Sequence, residues 1–312
     1  MKIGIIPGAT LPFSEKLLLS PYAMANVAFS LTQALLKRGH EVFVFVPKDS
    51  KTSAKIVPGF NFSSSVFRKI EEKERLNIFK EYYKNVISFS SKVDILHMHE
   101  FLGSLKYLKQ GLKCPLVVTL HAPKILKREK KLIEGRFLVA ISKRQRKINS
   151  NIAKFEGVVY NGIPIEFYEF NQSPKDYLFF IGRISSEKGV WDAIKVAKKV
   201  KRKLLIAGPF PLKENLSQKE KKYLEKVWKE IKKSKDIKYL GLVKGKSKIN
   251  YFKNAFCVLI PSKYEEPFGL VAIEAMACGT PVVGFQRGAL PEIIKDGQTG
   301  FIVKNIGEMG RA

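Results

Sequence analysis

Two successive doubly wound α/β units are what this sequence predicts, and three observations carry the prediction. The order strand, loop, helix, strand occurs twice, starting at Lys2 and again at Tyr177. The strands read as short unbroken apolar runs, as strands covered on both faces do. The chain has 312 residues, long for a single core, and Tyr160-Asn161-Gly162-Ile163-Pro164 offers a junction. The expected units are residues 1–164 and 165–312, with the strand ends facing a cleft.

Lys2 to Ile6 is the first strand; its apolar run is too short for a signal peptide and suits a buried strand. Pro7-Gly8-Ala9-Thr10 follows as a loop. Val27, Leu31, Ala34 and Leu35 share one face of a helix predicted over residues 25–37, and Gly39 stops it. Val42-Phe43-Val44-Phe45-Val46 is the second strand, which makes a βαβ unit and a parallel sheet. Residues 51–93 are less regular, with a charged helix expected from Arg68 to Ser91. Further strands are expected at Val93–His99, Pro115–His121, Phe137–Ser142 and Gly157–Val159.

The pattern then restarts. Tyr177–Ile181 is a strand, Gly182–Gly189 a loop and Val190–Val200 a helix. Leu204–Gly208, Ile237–Gly241, Cys257–Pro261, Pro281–Phe285 and Gly300–Val303 read as strands, with a helix over Tyr223–Lys233. Between two of these strands lies Glu265-Glu266-Pro267-Phe268-Gly269-Leu270-Val271-Ala272-Ile273-Glu274-Ala275-Met276-Ala277-Cys278-Gly279-Thr280-Pro281. Pro267 suits a first helical position, Gly279 a left-handed stop, and Pro281 bars continuation. From Leu270 to Cys278 every residue is apolar except Glu274. A helix apolar all round is buried, and a carboxylate inside it needs a partner. At ~1.5 Å rise per residue, Glu266 and Glu274 stand roughly 12 Å apart along a helix, too far for one dyad.

The balance of 56 Lys+Arg against 28 Asp+Glu gives a formal charge of +28. A polyanionic partner explains it, and so does a lysine-rich coat on solvated helix faces. No basic stripe is interleaved with aromatic residues, so nucleic acid is not expected as a partner. Cys114, Cys257 and Cys278 are scattered in apolar contexts without a CxxC pair, which fits a reducing cytoplasm. No run approaches the length of a membrane-spanning helix.

Arg183 and Lys188 lie on a loop flanked by Gly182 and Gly189, at the carboxyl end of a parallel strand. Two cations there would clamp a diphosphate, Arg by its fork of donors and Lys as a point charge. The same charges also suit an ordinary solvent loop. Glu274 has two readings: a structural ion pair, or an acceptor for ribose hydroxyls. His121 closes an apolar strand beside Ala122-Pro123 and is a candidate for the cleft. His97 and His99 share a strand face, but with Glu100 they offer no third ligand at sensible spacing, so no metal is expected.

These residues resemble the retaining glycosyltransferases of family four, which have the GT-B fold. Glu266 to Val283 looks like that family's signature, and Gly182–Gly189 like its diphosphate loop. Arg38–Val42, Asp94–His97, Val159–Ile163 and Asp296–Phe301 match other landmarks, so the likeness runs over nearly the whole chain. It implies a hexosyltransferase that moves a sugar from a UDP- or GDP-sugar to an acceptor hydroxyl, with no metal and no cofactor beyond that co-substrate. Arg183 and Lys188 would neutralise the diphosphate. Glu266, with the backbone amides of Phe268, Gly269 and Leu270, would hold sugar and phosphate. Glu274 would take the ribose, and Gly241-Leu242-Val243 would lie near the base. His121 and Glu266 would be the catalytic contacts, His121 assisting an oxocarbenium-like transition state. The acceptor stays open among a sugar, a lipid-linked intermediate and a small molecule. The location expected is the cytoplasm, with room for peripheral contact at the inner membrane face.

Two departures from the family pattern carry expectations of their own. A Gly-Gly pair usually precedes the first helix; here Leu19-Ser20-Pro21-Tyr22-Ala23-Met24-Ala25-Asn26 has no glycine, and Pro21-Tyr22-Ala23 would narrow the approach to the phosphates. Family members also continue for several tens of residues past the position of Ala312, so the second domain is expected to be truncated. The rival readings are a truncated or degenerate relative that binds a nucleotide or polyanion without turnover, a charge-driven nucleic-acid binder, and a nucleotide-sugar epimerase.

Overall fold

A computed structural model describes residues 1–8, 12–17, 19–20, 23–60, 70–108, 110–211 and 216–312. It divides into two compact units, Met1–Ile163 and Pro164–Ala312.

The first unit is built on a parallel sheet. Its strands are β1 (Lys2–Ile6), β2 (Glu41–Pro47), β3 (Lys55–Phe60), β4 (Ile95–Met98), β5 (Leu116–Thr119), β6 (Phe137–Ala140) and β7 (Gly157–Val158). They lie in the order β3-β2-β1-β4-β5-β6-β7. The order reverses at β1, which pairs with β2 on one side and β4 on the other. That reversal is the switch point where open α/β sheets take ligands. Helices α1 (Ala23–Lys37), α2 (Glu72–Phe89) and α3 (Lys143–Asn149) are among those that accompany it. The core gathers Ile6, Phe45, Leu96, Met98, Val118 and Leu138 from the strands with Tyr82, Tyr83 and Val86 from α2.

Strand β3 lies in the stretch the sequence left irregular. Its Pro58 lacks an N–H and is tolerated because β3 is an edge strand, paired with β2 alone. Helix α2 begins at Glu72 rather than Arg68; Arg68 itself lies outside the described residues, as do Ala9, Thr10, Pro21 and Tyr22 of the two loops singled out above. The first helix starts at Ala23, two residues before its expected start.

The second unit repeats the plan. Its strands are β8 (Tyr177–Ile181), β9 (Lys203–Ala207), β10 (Ile237–Tyr239), β11 (Cys257–Ile260), β12 (Val282–Phe285) and β13 (Gly300–Val303), in the order β10-β9-β8-β11-β12-β13. The reversal falls at β8, between β9 and β11. Helices α4 (Val190–Val200), α5 (Gln218–Lys233), α6 (Lys246–Lys253) and α7 (Leu270–Ala277) complete it with shorter turns. Helix α5 starts five residues earlier than expected because Ser217 caps it, its Oγ accepting from Glu220 N at 3.2 Å. Helix α6 was not legible in the sequence. Among the described residues no helix is long and apolar enough to cross a membrane.

The Glu266–Pro281 stretch folds differently at its two ends. Pro267 is not the first helical residue: α7 begins at Leu270, after Gly269 at φ +106°. That left-handed residue interrupts any helix running through it. The chain before it is held against the segment after β12, where Ala289 N donates to Glu266 O at 2.8 Å. The far end is as expected. Gly279 has φ +77°, its N–H donates to Met276 O at 2.9 Å, and Thr280 N donates to Ala275 O at 3.0 Å. This is the Schellman pattern that satisfies the last carbonyls of a helix.

Candidate functional site

In the second unit the switch point brings together the loops after β8 and β11. Gly182 and Arg183 leave β8, and the loop closes at Gly189, which caps α4 with φ +74°. A Cβ on Gly189 would lie 2.0 Å from Pro261 O, so only glycine lets the two loops touch. Lys263 N then donates to Glu187 O at 2.7 Å, and Lys263 Nζ meets the buried Asp192 carboxylate at 2.7 Å. We expect Gly189→Ala to cost at least about 2 kcal/mol, from left-handed strain plus this overlap. Denaturant unfolding measures it, and an unchanged midpoint would show that the loops can part without cost.

Lys188 reaches across that seam. Its Nζ is ion-paired with Glu266 Oε1, the same oxygen that accepts from Ser262 Oγ at 2.9 Å. The ammonium also sits 5.2 Å from the centre of the Tyr264 ring. Arg183 is exposed and pairs with Glu187 at 3.2 Å. The two cations therefore differ: Lys188 is held by a partly buried carboxylate, whereas the Arg183 pair is a solvent-screened one of little strength. Just beyond Glu266 lies the start of α7, whose first N–H groups have no partner within the helix and favour negative charge.

The loop has a brace that spacing could not show. Glu220, in the first turn of α5, accepts from Ser186 N at 2.8 Å and from Ser186 Oγ at 2.5 Å. Tyr223, one turn on, accepts from Trp191 N at 2.9 Å. Thus α5 fixes the backbone between Arg183 and Lys188.

Glu274 is buried in α7. Its Oε1 accepts from Lys248 Nζ at 2.6 Å and from Tyr168 OH at 3.1 Å. The Lys248 side chain is itself 8% exposed, so this is a buried ion pair. Burial, with the Glu274 charge beside it, pushes the Tyr168 phenol well above its ordinary range. The structural partner considered for Glu274 is present, and it comes from the unforeseen α6. Both contacts fall on Oε1; among the described residues Oε2 accepts no hydrogen bond. The two readings are therefore compatible.

Gly241, Leu242 and Val243 follow β10. Gly208 N donates to Gly241 O at 2.8 Å, and a Cβ on Gly208 would fall 1.8 Å from Gly182 O. The loops after β10, β9 and β8 are thus contiguous, and Leu242 is exposed beside them. Residues 241–243, Arg183, Lys188, Glu266 and the start of α7 all lie at the carboxyl edge of one sheet.

In the first unit, His121 follows β5. Its Nε2 lies 3.1 Å from His99 Nδ1, and His97 Nε2 lies 2.8 Å from Thr119 Oγ1. The His97 and His99 rings are 4.3 Å apart, as their shared strand face requires. Burial pushes the pKa of His97 and of His121 down to about 4 and lowers that of His99 as well. All three are uncharged at neutral pH. Among the described residues no group of three or more His, Cys, Asp or Glu is placed to hold a metal ion.

The family description "Glycosyltransferase Family 4" matches residues 24–167, and "Glycosyl transferases group 1" matches residues 165–307. The chain belongs to the family-four glycosyltransferases. A relative, an uncharacterised glycosyltransferase of Methanocaldococcus jannaschii, is 29% identical over an alignment of 255 positions that covers 68% of this chain and 62% of the relative. The chain thus spans less than two thirds of that relative's length. Sucrose-phosphate synthase of Thermosynechococcus elongatus superposes with a TM-score of 0.76 at 18% identity, covering 100% of this chain and 88% of the other. Anabaena HepE, solved in complex with UDP-glucose, superposes with a TM-score of 0.71 at 18% identity, again over 100% and 88%. The fold is GT-B, as the sequence led one to expect. In this family-four chain the motifs expected for the donor lie in one unit and on one sheet edge. His121 lies in the other unit.

Proposed function

We propose that the chain transfers a hexosyl group from a nucleotide-diphosphate sugar to an acceptor hydroxyl, with retention at the anomeric carbon and without a metal ion. The observation that carries this reading is the Lys188–Glu266 pair. It holds a cation and a carboxylate together at the switch point, beside the first turn of α7. The cation and the helix start suit the diphosphate, and Glu266 suits the sugar hydroxyls. Glu274 Oε2 suits the ribose, and Leu242 offers apolar surface to the base. In the reaction the bond from the anomeric carbon to the phosphate oxygen breaks, and the nucleoside diphosphate leaves with its charge neutralised by Arg183 and Lys188. The acceptor oxygen bonds to the same carbon, and its proton passes to the departing phosphate. His121, uncharged, supplies a hydrogen bond or its backbone carbonyl to the sugar. Family membership and the UDP-glucose bound by the Anabaena neighbour support a nucleotide-sugar donor.

The test is a panel of UDP- and GDP-sugars, with calorimetry for binding and mass spectrometry for products. We expect micromolar to millimolar binding of at least one donor, with slow hydrolysis even without acceptor. Binding without turnover would select the non-catalytic reading, and no binding by any donor would sink the donor site.

A further inference from the structure

The first unit contains a buried imidazole, that of His99, which sugar transfer as described leaves unused. His99 stands just past the end of β4 at the switch point, where its backbone N–H donates to Ile6 O at 2.8 Å. It is buried, with 2% of its surface exposed. Its Nδ1 faces His121 Nε2 at 3.1 Å, while among the described residues its Nε2 is buried without a hydrogen-bond partner.

A neutral imidazole carries one N–H, and a hydrogen bond between two such rings needs one donor and one acceptor. Two arrangements are available. If His121 donated from Nε2, His99 would accept at Nδ1 and carry its own hydrogen on Nε2, leaving a buried N–H with nothing to bond. If His99 donates from Nδ1, its Nε2 is a bare lone pair. Orphaned buried N–H groups are the rarer and costlier of the two. The geometry points to His99 as a positioning residue that donates from Nδ1 to His121 Nε2 and so fixes His121 in the tautomer protonated at Nδ1. Burial keeps both rings uncharged near neutrality, so neither becomes a donor at both nitrogens. His121 then presents an N–H at Nδ1 to whatever approaches it. Under the function proposed above, on which this last step rests, the recipient is an oxygen of the donor sugar. His121 is then a hydrogen-bond donor, not a base.

The tautomer is read directly, without donor or turnover, from a two-bond proton–nitrogen correlation spectrum of the whole chain with nitrogen-15 histidine at pH 7. His121→Gln assigns the signals by their loss. We expect His121 to show a protonated, pyrrole-type Nδ1 and a bare, pyridine-type Nε2. His99→Phe removes the donor and should move the His121 proton to Nε2. His99→Asn, whose amide N–H substitutes for Nδ1–H, should restore the original pattern. A wild-type His121 protonated at Nε2 overturns the assignment whether or not the variants fold. A wild-type spectrum as expected, together with no transfer from any donor, would leave the tautomer standing and remove the proposed function instead.

Discussion

Lys188→Met is expected to lower kcat/KM for donor-dependent transfer by about 10²–10³-fold, the loss typical of removing one group aimed at developing charge. Methionine keeps an unbranched side chain one atom shorter and removes the ammonium. Two effects must be separated. The Lys188 and Glu266 side chains are 26% and 11% exposed, so the substitution also leaves a partly buried carboxylate that, among the described residues, keeps its bond from Ser262. That stability loss is about 1–3 kcal/mol and shows in thermal unfolding, whereas the kinetic loss is measured on folded protein. Arg183→Met supplies the control. Its ion pair with Glu187 is 54% and 57% exposed, and such pairs contribute about 0.2–1 kcal/mol. We expect Arg183→Met to unfold like the wild type while still losing turnover. Because both cations would act on one diphosphate, the double variant should lose less than the product of the single losses. Unchanged kcat/KM in folded Lys188→Met would remove the seam between β8 and β11 from the reaction.

What could be read in the sequence, and what could not, divides along physical lines. The strands other than β3, the switch-point loops and the end of α7 were legible because apolar runs and glycines act locally. Gly279 stops its helix for reasons contained within a few residues. The start of α7 was misread at Pro267 because Gly288 and Ala289, remote in sequence, hold Glu266 in place. Strand β3 was missed because an edge strand can carry a proline that a central strand cannot. Glu274 invited a search for a cation, but no spacing rule points to Lys248 on α6. Glu220 and Tyr223 look like any residues of a charged helix until the fold sets them against Ser186 and Trp191. The shared face of His97 and His99 followed from strand alternation. Their meeting with His121 did not, because it depends on β4 lying beside β5. Local chemistry thus marked the edges of the candidate site, while the partners that fix its charges come from long-range packing.

The same histidines make the first unit sensitive to mild acid. An unfolded histidine titrates near pH 6.5, whereas burial holds His97 and His121 at about 4 and lowers His99 as well. Between those values the unfolded chain binds more protons than the folded one. Stability therefore rises with pH in this window and is lost as pH falls from about 6.5 toward 4. The groups meeting here are the three imidazoles and the Thr119 hydroxyl; Glu100 follows next in the chain, bonded to Tyr83. For one histidine with these values, moving from pH 7 to pH 5 costs about 2 kcal/mol, an upper figure for His97 and His121 because each keeps some surface in solvent. Protonating one ring repels the next, so the rings do not titrate independently. A loss of 2 kcal/mol corresponds to roughly 4–8 °C in the melting temperature of a unit this size. Most carboxylates titrate below pH 5, so the upper part of the window belongs to histidine. Hydrogen exchange separates the two units: amides of β4 and β5 should lose protection from pH 6.5 to 5, after correction for intrinsic exchange rates, while those of β8 and β11 should not. Equal loss in both units, or histidine signals from the cluster that titrate near 6.5, would show that the imidazoles are not held neutral by burial.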